Sequence, residues 1–211
     1  KNMVNLEFEA SVAGGIPILR TIKEGLATNK INKIYGILNG TCNYILSEME
    51  KKNETFANVL KKAQILGYAE PGNPKLDLNG HDAYAKVKIL SSLAFNSLIA
   101  NQESLMEGIE NIELKDISIA NQLNYRIKLL GISEVINGKI FSRVHPCLVK
   151  KDSYIGNVNG VMNVVITKGV PVGESIMQGE GAGPGPTSSA LMSDLLSILR
   201  GNIKFPFGIP Y

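Results

Sequence analysis

The sequence is poor in the residues that build disulfide frameworks and metal centres. It has two cysteines, Cys42 and Cys147, and two histidines, His81 and His145, in 211 residues. The cysteines lie far apart, so no disulfide framework and no zinc-ligand spacing arises. That usage fits a reducing, cytoplasmic setting. Charge of one sign is also scarce: 22 basic against 19 acidic residues leave a net +3. The basic residues do not cluster beyond Lys-Lys pairs, so nothing points to nucleic acid. No apolar run approaches the roughly 20 residues of a membrane span. Signal peptide, internal repeat and low-complexity tract are all missing. An initiating Met is missing too. The text opens on Lys1 within a strand-like alternation, and the expectation is a piece of a longer protein.

What is present reads as an ordinary folded chain. Apolar residues make up 44% and charged residues 19%, which excludes disorder as the overall state. Val4, Leu6, Phe8, Ala10 and Val12 alternate with polar residues, a period of two that predicts a strand. Pro17 then suits the first turn of a helix running to Ala27. Residues 31–38 read as a second strand, and 41–52 as a helix. Phe56, Val59, Leu60, Ala63 and Leu66 keep helical spacing, with Thr55 as N-cap and Gly67 as stop. A Pro/Gly-rich loop at 68–79 precedes a helix over 82–95. Residues 125–135 and 139–149 read as strands about Asn137-Gly138, the strongest short hairpin signal. Further strands are expected at 161–167 and 174–178, then an amphipathic helix at 187–200 with Leu191, Leu195, Ile198 and Leu199 in its stripe. Hairpins outnumber any βαβ series. The expected class is α+β, with a mixed, largely antiparallel sheet and helices on one face.

Three segments carry candidate chemistry. The stretch from Gly67 to Lys86 holds Glu70, Asp77 and Asp82 within one loop and helix start. Asp82 and Lys86 are four apart and share a helix face. A lysine held beside carboxylates can exchange a proton with an alcohol oxygen, and its apolar flanks favour a lowered pKa. The carboxylates can grip an ammonium. The same spacing also fits an ordinary helix ion pair. The second segment, Glu9-Ala10-Ser11-Val12-Ala13-Gly14-Gly15-Ile16-Pro17, offers amides to an anion or carbonyls to a hard cation, or is a plain tight turn. The third, residues 179–187, is glycine-rich between strand and helix. It lacks the Gly-Lys-Ser/Thr of a Walker loop, and Pro184 and Pro186 spoil a dinucleotide fingerprint. His145 reads as structural, His81 as a solvated loop residue, and Cys42 as a buried structural cysteine.

Together these segments resemble homoserine dehydrogenase over nearly the whole chain, in order. The matching motifs are Glu9 to Pro17, Gly36 to Leu46, and Leu66-Gly67-Tyr68-Ala69-Glu70. Asp77-x-x-Gly80-x-Asp82-x-x-x-Lys86 and the closing Gly179 to Leu195 pattern complete the set. The resemblance implies NAD- or NADP-dependent interconversion of L-homoserine and L-aspartate 4-semialdehyde, serving threonine, methionine and isoleucine synthesis in the cytoplasm. It implies Lys86 as the proton-transfer lysine and Glu70 and Asp82 as substrate-binding residues, supported by Asp77. Gly67 and Gly183 would line the cofactor. A sodium-type cation would sit on backbone oxygens of Glu9, Val12, Gly14 and Ile16. The assembly would be a homodimer with no nucleic acid or membrane partner.

Two departures stand out. One extra residue lies between Glu70 and Asp77, in Pro71-Gly72-Asn73-Pro74, and no strand-Gly-x-Gly-x-x-Gly-helix unit occurs in the chain. The expected division is therefore a catalytic, substrate-binding and dimerisation domain at 1–185. A helix at 186–211 would return to a nucleotide-binding half outside this sequence, leaving its apolar face unburied here. Two other readings remain at this point: an inactive dimerisation core, and a related acylating semialdehyde dehydrogenase that would need a catalytic cysteine and histidine.

Overall fold

The computed structural model describes residues 4–72, 74–97 and 105–201. Lys1, Asn73 of the extra-residue loop and the end of the 186–211 segment lie outside the described residues.

Five strands form one sheet in the order β3-β2-β1-β4-β5. They are β1 (Lys30–Ile37), β2 (Tyr125–Ile136), β3 (Lys139–Lys150), β4 (Met162–Val170) and β5 (Gly173–Glu180). Every neighbouring pair is antiparallel. The β2–β3 hairpin turns at Asn137 and Gly138, both at positive φ, as the Asn-Gly signal requires. The long β1–β2 connection puts helices against the sheet: α2 (Gly40–Lys52), α3 (Phe56–Ile65), α4 (Lys75–Leu78), α5 (His81–Ala94) and α6 (Leu114–Gln122). The α+β expectation is borne out.

Alternation sorts the sheet into two faces. Ile34, Leu129, Val144 and Val165 join the helix-side core with Ile45, Met49, Val87 and Leu90. Ile37, Leu130, Ile132, Val164 and Ile166 form a second cluster, capped at one end by Ile155 and Val158. Strand β2 is buried from Lys128 to Ser133 without a break, as a strand covered on both faces must be. Gly131 lets α5 approach it: a Cβ there would lie 2.4 Å from Val87 Cγ2.

Three expectations are corrected. Residues 4–8 form no strand, and Glu9–Ser11 is a single 3₁₀ turn. Alternation marks a strand only where a partner offers backbone hydrogen bonds, and here Val4 stays 70% exposed. The helix expected after Pro17 is two short pieces, α1 (Ile18–Arg20) and a π-turn at Thr21–Gly25. Helix α6, within a stretch assigned no element, is closed by a reciprocal box between Glu113 and Asp116.

The last helix, α7 (Pro184–Leu199), begins slightly earlier than expected. It rests on the domain through Ala190 and Asp194 alone among its buried residues. Leu191, Leu195, Ile198 and Leu199 are exposed, so the expected unburied apolar face is present.

Candidate active site

The stop of β1 and the starts of α2 and α5 converge. Asn39 follows β1 and caps α2, its Oδ1 accepting the Cys42 N–H at 2.8 Å. Asn and Asp are preferred there because the side-chain oxygen satisfies an otherwise unpaired amide. Helix α4 is one turn long and delivers Asp77. Gly80, at φ +89°, turns the chain into α5, a conformation glycine adopts without steric cost. That places Asp82 in the first turn, where the helix N-terminus favours a carboxylate.

Side chains then connect these ends. Lys86 Nζ donates to Asp82 Oδ2 at 2.7 Å and to the Leu38 carbonyl at 3.0 Å. Asn39 Nδ2 donates to Asp77 Oδ1 and to Asp82 Oδ2, each at 2.9 Å. Burial pushes the Asp77 carboxyl up; the Asn39 amide works against this, and the Asp82 charge adds to it. A cavity of about 410 Å³ opens beside them, lined by Glu70, Pro74, Leu76, Asp77, His81, Asp82 and Ala85. The loop bearing Glu70 is pinned to α2, since Thr41 Oγ1 donates to the Tyr68 carbonyl at 2.5 Å and the Tyr44 and Tyr68 rings pack 4.9 Å apart.

Glu70, Asp77, Asp82 and Lys86 are thus brought together. Three carboxylates on one cavity suit a cationic group of a small ligand. Lys86 is not itself a lining residue, and it meets the cavity through Asp82. Sequence reasoning missed Asn39, which it took as the end of a strand. The available signal was an Asn directly before a helical run, the N-cap position.

The two glycine-rich candidates turn out to be one structure. Gly14 N–H donates to the Gly181 carbonyl and Gly15 N–H to the Glu180 carbonyl, both at 2.9 Å. A Cβ on Gly15 would sit 2.7 Å from Glu180 O. The glycines are needed for backbone-to-backbone contact. The Leu19 and Arg20 amides go to the Glu9 carboxylate, at 2.8 and 2.9 Å. These four amides are therefore committed within the fold, which removes the anion-cradle reading of this turn. Of the four expected cation-binding carbonyls, Glu9 O accepts from Val12 N at 3.5 Å and Ile16 O from Ile18 N at 2.7 Å. Glu9 is buried, and its backbone N–H donates to Asp194 Oδ2 at 2.9 Å. Burial raises its carboxyl pKa, opposed by the two amides. Gly67, after α3, and Gly183, before α7 and two residues beyond Gly181, are exposed and at positive φ.

A cysteine nucleophile finds no support. Cys42 is fully buried, donates to the Asp77 carbonyl, and burial pushes its thiol well up. Cys147 lies 3.4 Å from His145 Nδ1 on β3, but burial lifts its thiol to about 11, and a thiol rather than a thiolate is a poor nucleophile.

A profile of the family described as homoserine dehydrogenase matches residues 17–196. The chain belongs to the homoserine dehydrogenase family. It is 48% identical over 200 residues to the homoserine dehydrogenase of Neisseria gonorrhoeae, covering 95% of this chain and 46% of that one. Against the Helicobacter pylori homoserine dehydrogenase it is 49% identical over 193 residues, again covering 46% of the relative. The crystal structure of a homoserine dehydrogenase from Thiobacillus denitrificans superposes with a TM-score of 0.87 at 48% identity, over 92% of this chain and 44% of that one. A hyperthermophilic archaeal homoserine dehydrogenase mutant in complex with NADPH superposes at 0.76 with 28% identity, over 93% of this chain and 56% of that one. The chain spans about half the length of the curated relatives it matches.

Proposed function

We propose that this homoserine dehydrogenase chain forms the substrate-binding and proton-transfer region of an enzyme that interconverts L-homoserine and L-aspartate 4-semialdehyde. The observation that carries the reading is the three-carboxylate cavity with Lys86 docked on one of its walls. Glu70, Asp77 and Asp82 hold the substrate ammonium, an arrangement of charge-assisted hydrogen bonds. Lys86 spends two of its three ammonium hydrogens on Asp82 and Leu38 O. The third serves the substrate's terminal oxygen, which gains a proton on reduction and yields one on oxidation. Carboxylate grip and lysine together fix the reacting carbon in one orientation.

NAD or NADP supplies the hydride exchange when bound. In this chain Gly67 and Gly183 suit its approach. No atom lies within 4 Å of a Cβ built on Gly67, and on Gly183 the nearest is Pro186 Cδ at 3.8 Å. The remaining contacts fall to a nucleotide-binding half, against which the exposed leucines of α7 and the segment 186–211 pack, with 1–185 as the catalytic and dimerisation domain. Carbonyls of Glu9, Val12, Gly14 and Ile16 hold a sodium-type cation; a carbonyl keeps a second lone pair after one hydrogen bond, so the bonds seen there do not forbid it. The whole enzyme works as a cytoplasmic homodimer in threonine, methionine and isoleucine synthesis. Both cysteines are free, in keeping with a reducing compartment.

The test is an assay of the full-length protein with L-homoserine and NAD or NADP, following nicotinamide absorbance. Turnover is expected from the full-length protein and none from the 211 residues alone. A purified, folded full-length protein with no homoserine-dependent signal overturns the reading.

A further inference from the structure

We propose that Asn39 is a positioning residue for the reaction: one side-chain amide, locked by the start of α2, sets the spacing of Asp77 and Asp82 and so the seat of Lys86. The proposal rests on the functional reading of this cavity and adds a component to it.

The orientation of the amide follows from its partners. Oδ1 faces the Cys42 N–H at 2.8 Å, which only an acceptor can do. Nδ2 must then face the carboxylates, and its two hydrogens meet one oxygen each, Asp77 Oδ1 and Asp82 Oδ2, both at 2.9 Å. Like charges this close repel, and a neutral double donor between them offsets that repulsion. Asp82 Oδ2 is also the atom that receives Lys86, and the second Lys86 acceptor is the carbonyl of Leu38, the residue before Asn39. Asn39 therefore touches both ends of the Lys86 anchor. The other charged or titratable groups around Asp77 are Glu70, His81 and Cys42, on the cavity wall and at the Asp77 carbonyl.

A helix cap alone would explain Asn39, and two substitutions in the full-length protein separate the roles. Asn39→Asp and Asn39→Ser both keep an oxygen for the Cys42 amide, and both are good caps. Neither keeps the amide donors, and Asn39→Asp adds a further carboxylate beside Asp77 and Asp82. Both variants are expected to retain thermal stability close to wild type and to lose about 10²-fold in kcat/KM, the loss that follows from misplacing a reacting group. In Asn39→Asp the acidic limb of the kcat/KM–pH profile is expected to rise by about one unit. In Asn39→Ser the Asp77 carboxyl, followed by carbon-13 NMR, is expected to titrate higher than in wild type. This readout needs no turnover, so it stands even if the wild-type protein fails to oxidise homoserine and the functional reading falls. Near-wild-type kcat/KM with an unmoved pH profile in both variants would reduce Asn39 to a cap. So would an activity loss that merely tracks a lowered Tm in both, or an unmoved Asp77 titration.

Discussion

Lys86 and Lys128 are both drawn into this fold, and they are answered in opposite ways. Lys86 stands on α5 with its side chain 20% exposed, one helical turn from the Asp82 carboxylate that receives it. Lys128 stands on the interior strand β2 and is 1% exposed. Neutral oxygens surround its ammonium: Val158 O at 2.6 Å, Asn43 Oδ1 at 3.0 Å, Asn159 Oδ1 at 3.1 Å and Ser47 Oγ at 3.4 Å. Burial pushes Lys128 down to about 8. By titration alone it would pass for the better proton carrier near neutral pH. Its setting says otherwise. Every donor is committed to fixed oxygens of α2 and the 155–160 connection, and it lines neither the acidic cavity nor the second cavity beside Ser47 and Asn159. A buried cation with satisfied hydrogen bonds is a strut; a partly exposed one beside a carboxylate cavity is the candidate proton carrier.

The sharpest way to break this comparison is to remove each ammonium in the full-length enzyme. Lys86→Ala is expected to lower kcat by about 10³-fold, the range of a general acid–base group. Homoserine binding, measured by calorimetry, should survive because the carboxylates remain. Near-normal turnover in that variant would take the proton role from Lys86. Lys128→Ala is expected to do the reverse. It truncates a buried side chain and leaves Val158 O and the Asn43 and Asn159 amide oxygens without their donor. The expected cost is about 3 kcal/mol in urea unfolding, with kcat per folded molecule unchanged. Should Lys128→Ala stay as stable as wild type and lose turnover, the two lysines would have to exchange roles.

The contrast also explains what could be read beforehand. The Asp82–Lys86 pair was legible because an i,i+4 spacing is local and α5 is strongly periodic. Lys128 was not, since its strand reads Arg126-Ile127-Lys128-Leu129, an alternation that sends residue 128 to solvent. Only the tertiary arrival of Asn43, Ser47 and the loop at 158–159 covers it. Val4 to Phe8 fails for the mirror reason, with a strand pattern and no neighbouring strand to complete it. Helix α6 escaped because Glu113 does the capping where Ser or Thr is usually sought. The glycine turns at 14–15 and 179–187 stand out in the sequence, but their docking onto one another lies beyond spacing rules. Gly14 and Gly181 are far apart in sequence, and one amide–carbonyl bond joins them.

Titration offers the finest separation of the two lysines. Lys128 has a folded value near 8 against 10.5 for the unconstrained side chain. Below pH 8 both folded and unfolded chains hold this proton, so Lys128 contributes no pH dependence there. Between pH 8 and 10.5 the unfolded chain holds a proton that the folded chain has shed. Stability from this residue therefore rises with pH, by at most about 1.4 kcal/mol per unit. Tyr35 and Tyr44, both raised by burial, act in the opposite direction once pH passes 10. The clean observable is the difference in unfolding free energy between wild type and Lys128→Met, whose side chain is close in length and cannot titrate. That difference is expected to shift in favour of wild type by about 2 kcal/mol between pH 7.5 and pH 9.5. A flat difference would mean that the surrounding oxygens hold the ammonium charged against the pull of burial. Hydrogen bonding would then outweigh desolvation at this site, and Lys128 would be a permanent cation inside the fold.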